Sequence, residues 1–189
     1  MAAAPQEPKH QSGGAACILY AEDEENDILF LQIAFERAGS PHTLHAVTDG
    51  AQALEYLAGE GPFSDRSRHP LPALVLLDIN MPKKTGLEVL EWIRQQSGFK
   101  SLPVLMLTSS SRPEDMDKAR LLGADDYLFK PSHPLQLVEL VKSLHQRWLS
   151  QPAAAPANET GPGFSRPDQT PSRSIKPVQT IAIKPRARG

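Results

Sequence analysis

The chain has 189 residues, 40% of them apolar, with a formal net charge of −2 and a single cysteine. That length holds one domain of ordinary size with extensions, and 18 prolines are too many for one compact α/β unit. Basic residues crowd toward the end (Arg166, Arg173, Lys176, Lys184, Arg186, Arg188), so the central region is acidic, which speaks against nucleic acid or an anionic membrane surface as its partner.

Residues 1–14 are rich in Ala, Gly, Pro and Gln without an apolar period, and read as a disordered segment without the marks of a signal peptide. Cys17 falls in the apolar run Ala16–Ala21 that forms a first strand; alone, it forms no intrachain disulfide, which fits a reducing cytoplasm, and it reads as a small core residue. Asn26–Ala38 repeats Ile28, Leu31 and Phe35 at helical spacing and closes at Gly39. Thr43–Thr48 alternates like an edge strand, and Asp49-Gly50 opens a helix with Ala53, Leu54 and Leu57 on one face. A polar loop, Gly59–Pro72, leads to Ala73–Asp78, where an unbroken apolar run ends in a lone carboxylate. Such a run predicts a strand buried on both faces of a parallel sheet.

Thr85-Gly86-Leu87-Glu88 predicts a capping box and a helix with Leu87, Leu90 and Ile93 on its buried face. Pro103–Thr108 is a fourth strand. Ser111-Arg112-Pro113-Glu114 reads as a second capping box, with Gly123 ending that helix. Asp126–Lys130 is the last strand. Ser132 then caps a final helix with a stripe of Leu135, Val138, Val141 and Leu144, beside which Leu137 and Leu140 stand as surface apolar residues or as part of a dimer face. Strands alternating with helices give right-handed crossovers and one doubly wound α/β domain over residues 15–150, a five-stranded parallel sheet of order 2-1-3-4-5. Residues 151–189 read as a flexible Pro-rich and basic tail whose Val178–Ile183 segment could add to a sheet edge. No apolar stretch approaches a membrane span.

In that fold the loops after strands 1, 3, 4 and 5 share the carboxyl edge, where open α/β sheets place ligands. Glu22 and Asp23 follow strand 1, Asp78 ends strand 3, Thr108 ends strand 4, and Lys130-Pro131 ends strand 5. Carboxylates that close repel unless a cation intervenes. Oxygen-only donors point to Mg²⁺ rather than zinc. A lysine there can pair with Asp78 and with a phosphate oxygen. Glu24, Glu25 and Asp27 read as acids favoured by the dipole of the helix they begin. Tyr127 reads as core packing or as a rotamer that responds to Thr108.

The set Glu22-Asp23, Asp78, Thr108, Tyr127 and Lys130-Pro131 resembles the receiver domains of response regulators in two-component signalling, over Ala16–Leu149. The resemblance implies the flavodoxin-like fold and makes Asp78 the acceptor of a phosphoryl group from a histidine kinase. It also implies Mg²⁺ bound by Asp23 and Asp78, by Glu22 through a water and by the Asn80 carbonyl. Lys130 and Thr108 would hold phosphoryl oxygens. Tyr127 would turn inward, repacking the face of helix 4, strand 5 and helix 5, and Lys130-Pro131 would be cis. The chain would be a signalling protein rather than an enzyme. Glu22 departs from the commoner Asp. The Leu77-Asp78-Ile79-Asn80-Met81-Pro82-Lys83-Lys84-Thr85-Gly86 run and the long loop before it are similar to regulators paired with bacterial phytochromes. Too little patterned sequence follows Ser150 for a DNA-binding helix-turn-helix, so the expected output is a protein contact, homodimerisation through that face, or relay. Three other readings stand beside this one: a flavodoxin-like cofactor binder, an aspartate-nucleophile phosphatase, and a receiver-like interaction module that works without phosphate. The first would want a phosphate-cradling Gly/Ser/Thr loop after strand 1, where this chain is acidic. The second would want an Asp at position 80, which is Asn.

Overall fold

The computed structural model describes residues 15–150; the expectations for residues 1–14 and 151–189, the Val178–Ile183 strand among them, lie outside that range. Five parallel strands, β1 (Cys17–Ala21), β2 (Thr43–Val47), β3 (Leu74–Leu77), β4 (Val104–Thr108) and β5 (Asp126–Phe129), form one sheet in the order β2-β1-β3-β4-β5. The helices are α1 (Glu25–Arg37), α2 (Gly50–Ala58), α3 (Gly86–Gln95), α4 (Pro113–Leu121) and α5 (Pro134–Leu144), the last running into a π-helical turn, His145–Leu149. This is the flavodoxin-like order expected.

The unbroken apolar runs are explained by two cores. Successive strand side chains point to opposite faces. Cys17, Leu19, Ala21, Val75, Leu77, Val104 and Met106 therefore pack with Ala53, Leu57, Leu90, Ile93 and Ala119 from α2, α3 and α4. Ile18, Tyr20, Leu74, Leu76, Leu105 and Leu107 pack with Leu31, Phe35, Val141 and Leu144 from α1 and α5. Each Val, Leu, Ile, Phe or Met side chain among them taken out of water contributes about 1.5–3 kcal/mol. β2, at the sheet edge, is half buried.

Asp49 caps α2, accepting from Gln52 N at 2.8 Å, and Thr85 and Glu88 form the reciprocal box expected at α3. Three other local expectations fail. Ser111 does not cap α4: Arg112 occupies the cap position, without a side-chain hydrogen bond, because Pro113 takes the first helical position and shifts the start. At α5 the cap is His133, whose ring accepts from Leu135 N at 3.3 Å, rather than Ser132. The α5 stripe holds at Val138, Val141 and Leu144 but not at its first member. Leu135 is 66% exposed, while Leu137 and Leu140 pack against the second core. A helix's buried face depends on where it docks, which a periodic pattern alone leaves free by one position.

The Gly59–Pro72 loop is organised by one half-buried guanidinium. Arg66 donates to Tyr56 O and Leu57 O, both at 2.7 Å, and to His69 O at 3.2 Å. It thereby supplies the donors that the last turn of α2 lacks. Every peptide bond among the described residues is trans, Lys130-Pro131 included. The trans form is intrinsically favoured for X–Pro, and from it the lysine already reaches its carboxylate partners.

Candidate functional site

The register of the sheet gathers the expected residues. Asp78 N donates to Ala21 O at 3.0 Å and Glu22 N to Val47 O at 3.0 Å, so the chain leaves β1 and β3 side by side. Lys130 N donates to Thr108 O at 2.9 Å and holds the end of β5 against β4. Gly86 lets α3 start tight against this edge, since a Cβ there would collide with the Asp78 carbonyl oxygen. Glu22, Asp23 and Asp78 each offer a carboxylate oxygen within 4.8 Å of the others.

Asp78 is 3% exposed. Its Oδ2 accepts from Asn80 N at 2.6 Å. Its Oδ1 is buried and receives no hydrogen bond among the described residues; Lys130 Nζ stands 3.4 Å away. A desolvated carboxylate oxygen without a donor is costly unless a cation or a covalent partner takes it. Together with the exposed Asp23 and an all-oxygen donor set, that oxygen fits a hard divalent ion of the Mg²⁺ kind.

Glu22 is fully buried and engaged at both oxygens. Oε2 accepts from the Tyr20 hydroxyl at 2.7 Å and pairs with Lys130 Nζ at 2.5 Å, while Oε1 accepts from Glu24 N at 3.2 Å. Burial pushes the Glu22 carboxyl above its ordinary value, against the hydrogen bonds from Lys130 and Tyr20. Burial and the adjacent Glu22 raise the Tyr20 hydroxyl, so it stays a donor. Burial alone would lower the Lys130 ammonium. Its hydrogen bonds to Asp27 and Glu22, with the Asp78 charge, outweigh that and hold it well above an ordinary lysine.

Thr108 is buried at the end of β4, and its Oγ1 accepts from Ser110 N at 3.2 Å. Tyr127 is already inward, 2% exposed, with its hydroxyl donating to Ser110 O at 3.0 Å; the inward turn expected of it is its position here. Ser110 Oγ donates to Asp115 Oδ2 at 2.6 Å, and Arg112 pairs with the same carboxylate. The Ser110 hydroxyl, against the cost of burial and with help from Arg112, holds Asp115 below the usual carboxylate range.

Two residues at this edge escaped the sequence reading. Asp27, assigned to the α1 dipole, lies in the first turn of α1 and pairs with Lys130 at 2.8 Å. Tyr20, inside the apolar run of β1, sends its hydroxyl to Glu22 just past the end of that strand. Neither stands out in the sequence as part of the site, since a first-turn acid and a strand aromatic each have an ordinary local role.

A buried carboxylate at the end of β3, flanked by acids from β1 and a lysine from β5, defines a class. Residues 18–142 match the response regulator receiver domain, and the chain belongs to that family. Its relatives include the response regulator Rcp1 of Synechocystis sp., 32% identical over 139 residues, 74% of this chain and 92% of that protein. The crystal structure of Rcp1 in its Mn²⁺-bound form matches with TM-score 0.63 over 71% of this chain and 95% of that one. The phosphorylated cyanobacterial phytochrome response regulator RcpA matches with TM-score 0.66 at 34% identity, over 72% and 96% of the two chains. RPA3017, a response regulator in red light signalling of R. palustris, matches with TM-score 0.67 at 37% identity, over 71% and 94%. Among the described residues no helix is long and apolar enough to cross a membrane.

Proposed function

We propose that this protein is a response regulator phosphorylated on Asp78 by a sensor histidine kinase, with a phytochrome as the sensor, and that it acts in the cytoplasm by protein contact rather than through nucleic acid. The carrying observation is Asp78 Oδ1, buried, without a hydrogen-bond donor and facing Lys130. In the transfer, one carboxylate oxygen of Asp78 forms a bond to phosphorus, leaving the other for the metal, as the P–N bond of a phosphohistidine breaks. The electron pair stays on the imidazole, which takes a proton from solvent. Asp23 and Asp78, with Glu22 through a water and the Asn80 carbonyl, would hold Mg²⁺, which when bound supplies positive charge against carboxylate and phosphoryl oxygens. Lys130 and Thr108 orient the phosphoryl group. The phosphorylated state of the RcpA structure and the Mn²⁺-bound state of the Rcp1 structure support this reading.

The switch follows from the Ser110 contacts. A phosphoryl oxygen that draws the Thr108 hydroxyl removes the acceptor of Ser110 N, and Ser110 holds both Tyr127 and Asp115. The element so biased is the β4–α4 segment. Leu121 on α4, Phe129 on β5 and Leu135 on α5 are exposed apolar residues, and they replace Leu137 and Leu140 as the surface for homodimerisation. Acetyl phosphate with Mg²⁺ should add one labile phosphoryl group to the protein and none to Asp78→Asn, read by intact mass, with the dimer fraction read by sedimentation of the same samples. Wild-type protein that stays unlabelled would leave the phosphate-independent interaction module.

A further inference from the structure

Lys130 is shared unequally among three carboxylates. Its Nζ lies 2.5 Å from Glu22 and 2.8 Å from Asp27, but 3.4 Å from Asp78. The ammonium is therefore held by β1 and α1 more closely than by the residue it is to serve. The two closer partners differ. Glu22 is fully buried and fastened by Tyr20 and by Glu24 N, so it stays in place. The Asp27 side chain is 37% exposed and can turn to water when its partner leaves.

Resting on the reading above, we infer that Asp27 competes with the phosphoryl group for Lys130, so that phosphorylation releases Asp27 and makes the first turn of α1 a second element that registers the modification. A phosphoryl group brings more negative charge and three strong acceptor oxygens. A single half-exposed carboxylate is the weaker partner. Release leaves Asp27 at the positive end of α1, where a carboxylate is tolerated, two residues before the half-exposed Leu29 and Phe30. The modification is thereby reported on the α1 side of the sheet as well as on the β4–α4 side. Asp27 is a positioning residue: it acts on the phosphoryl group only through Lys130.

The test uses the full chain labelled with ¹⁵N, at saturating Mg²⁺, with beryllofluoride added as the phosphoryl stand-in. Amide shifts are compared with those in Mg²⁺ alone. In the wild type both the Thr108–Ser110 amides and those of Glu25–Phe30 shift. Asp27→Asn keeps the first group, loses the second and binds beryllofluoride about two- to fivefold more tightly, the range of a half-exposed ion pair. Asp27→Glu restores the wild-type pattern. Equal α1 shifts in Asp27→Asn, or an unchanged affinity, overturn the role of Asp27. A wild type with no Thr108 shift and no labelling of Asp78 by acetyl phosphate instead overturns the phosphoacceptor reading itself.

Discussion

Glu22 shows why one methylene matters. A glutamate is long enough to fold back onto the Tyr20 hydroxyl while still meeting Lys130, so its charge sits inside a hydrogen-bonded socket. Asp23 stands outside that socket and is exposed, with a carboxylate oxygen within 4.8 Å of one on Glu22 and one on Asp78. Tyr20→Phe leaves the buried Glu22 short of a donor. Removing a hydrogen bond to a charged group costs about 1.5–3 kcal/mol, so its urea midpoint should fall with the slope unchanged, while the labelled residue remains Asp78. The sequence marked Glu22, Asp23, Asp78, Thr108 and Lys130 because each stands where an apolar run stops. It could not mark Tyr20 as polar machinery, since an aromatic inside a strand packs in either role.

Among the elements, the long loop between α2 and β3 carries the clearest prediction. Arg66 is its keystone, with three carbonyls on one guanidinium, and its side chain sits against Gly59, where φ is +73°. Arg66→Met keeps the apolar stem and removes the donors. About 1.5–3 kcal/mol of stability should be lost, and limited proteolysis should cut within residues 59–72 sooner than in the wild type. The loop read as merely polar in sequence because a capping arginine and a solvated one look alike there. The same holds at the helix starts. The α3 box was legible, since Thr85 and Glu88 satisfy each other locally, whereas Ser111 and Ser132 lost their places to Arg112 and His133 once neighbouring prolines set where each helix begins.

For the whole molecule, pH acts through histidines at the seams. His42 Nδ1 accepts from Ala16 N at 3.0 Å, and its Nε2 lies 2.8 Å from His145 Nδ1, which ties the start of β1 to the end of α5. Burial, then the neighbouring His145, lowers His42; burial, then His69, lowers His45. A histidine whose folded value is depressed binds protons more readily when unfolded. Its stabilising contribution is complete above the unfolded value of about 6.5 and is lost as pH falls toward the folded one. The melting temperature should therefore drop between pH 7.5 and 5.5, and His42→Gln should flatten that drop. Asp115 and Asp49, both lowered, add a further loss only in stronger acid, below the ordinary aspartate range. A melting temperature independent of pH across the first window would exclude the histidine contribution.

By itself the sequence determined the five strands, their order in the sheet and the carboxylates at the ends of β1 and β3. These follow from apolar runs of strand length, helical spacing between them and the handedness of the crossovers, all of which are local or topological rules. Only the tertiary structure decided which acids hold Lys130, that the buried face of α5 takes in Leu137 and Leu140 and leaves out Leu135, and that Tyr127 already lies inside. Those are choices between partners far apart in the chain: Asp27 and Lys130 are 103 residues apart. Ion pairing turns on ångström distances between docked elements, which no spacing along a single strand or helix encodes.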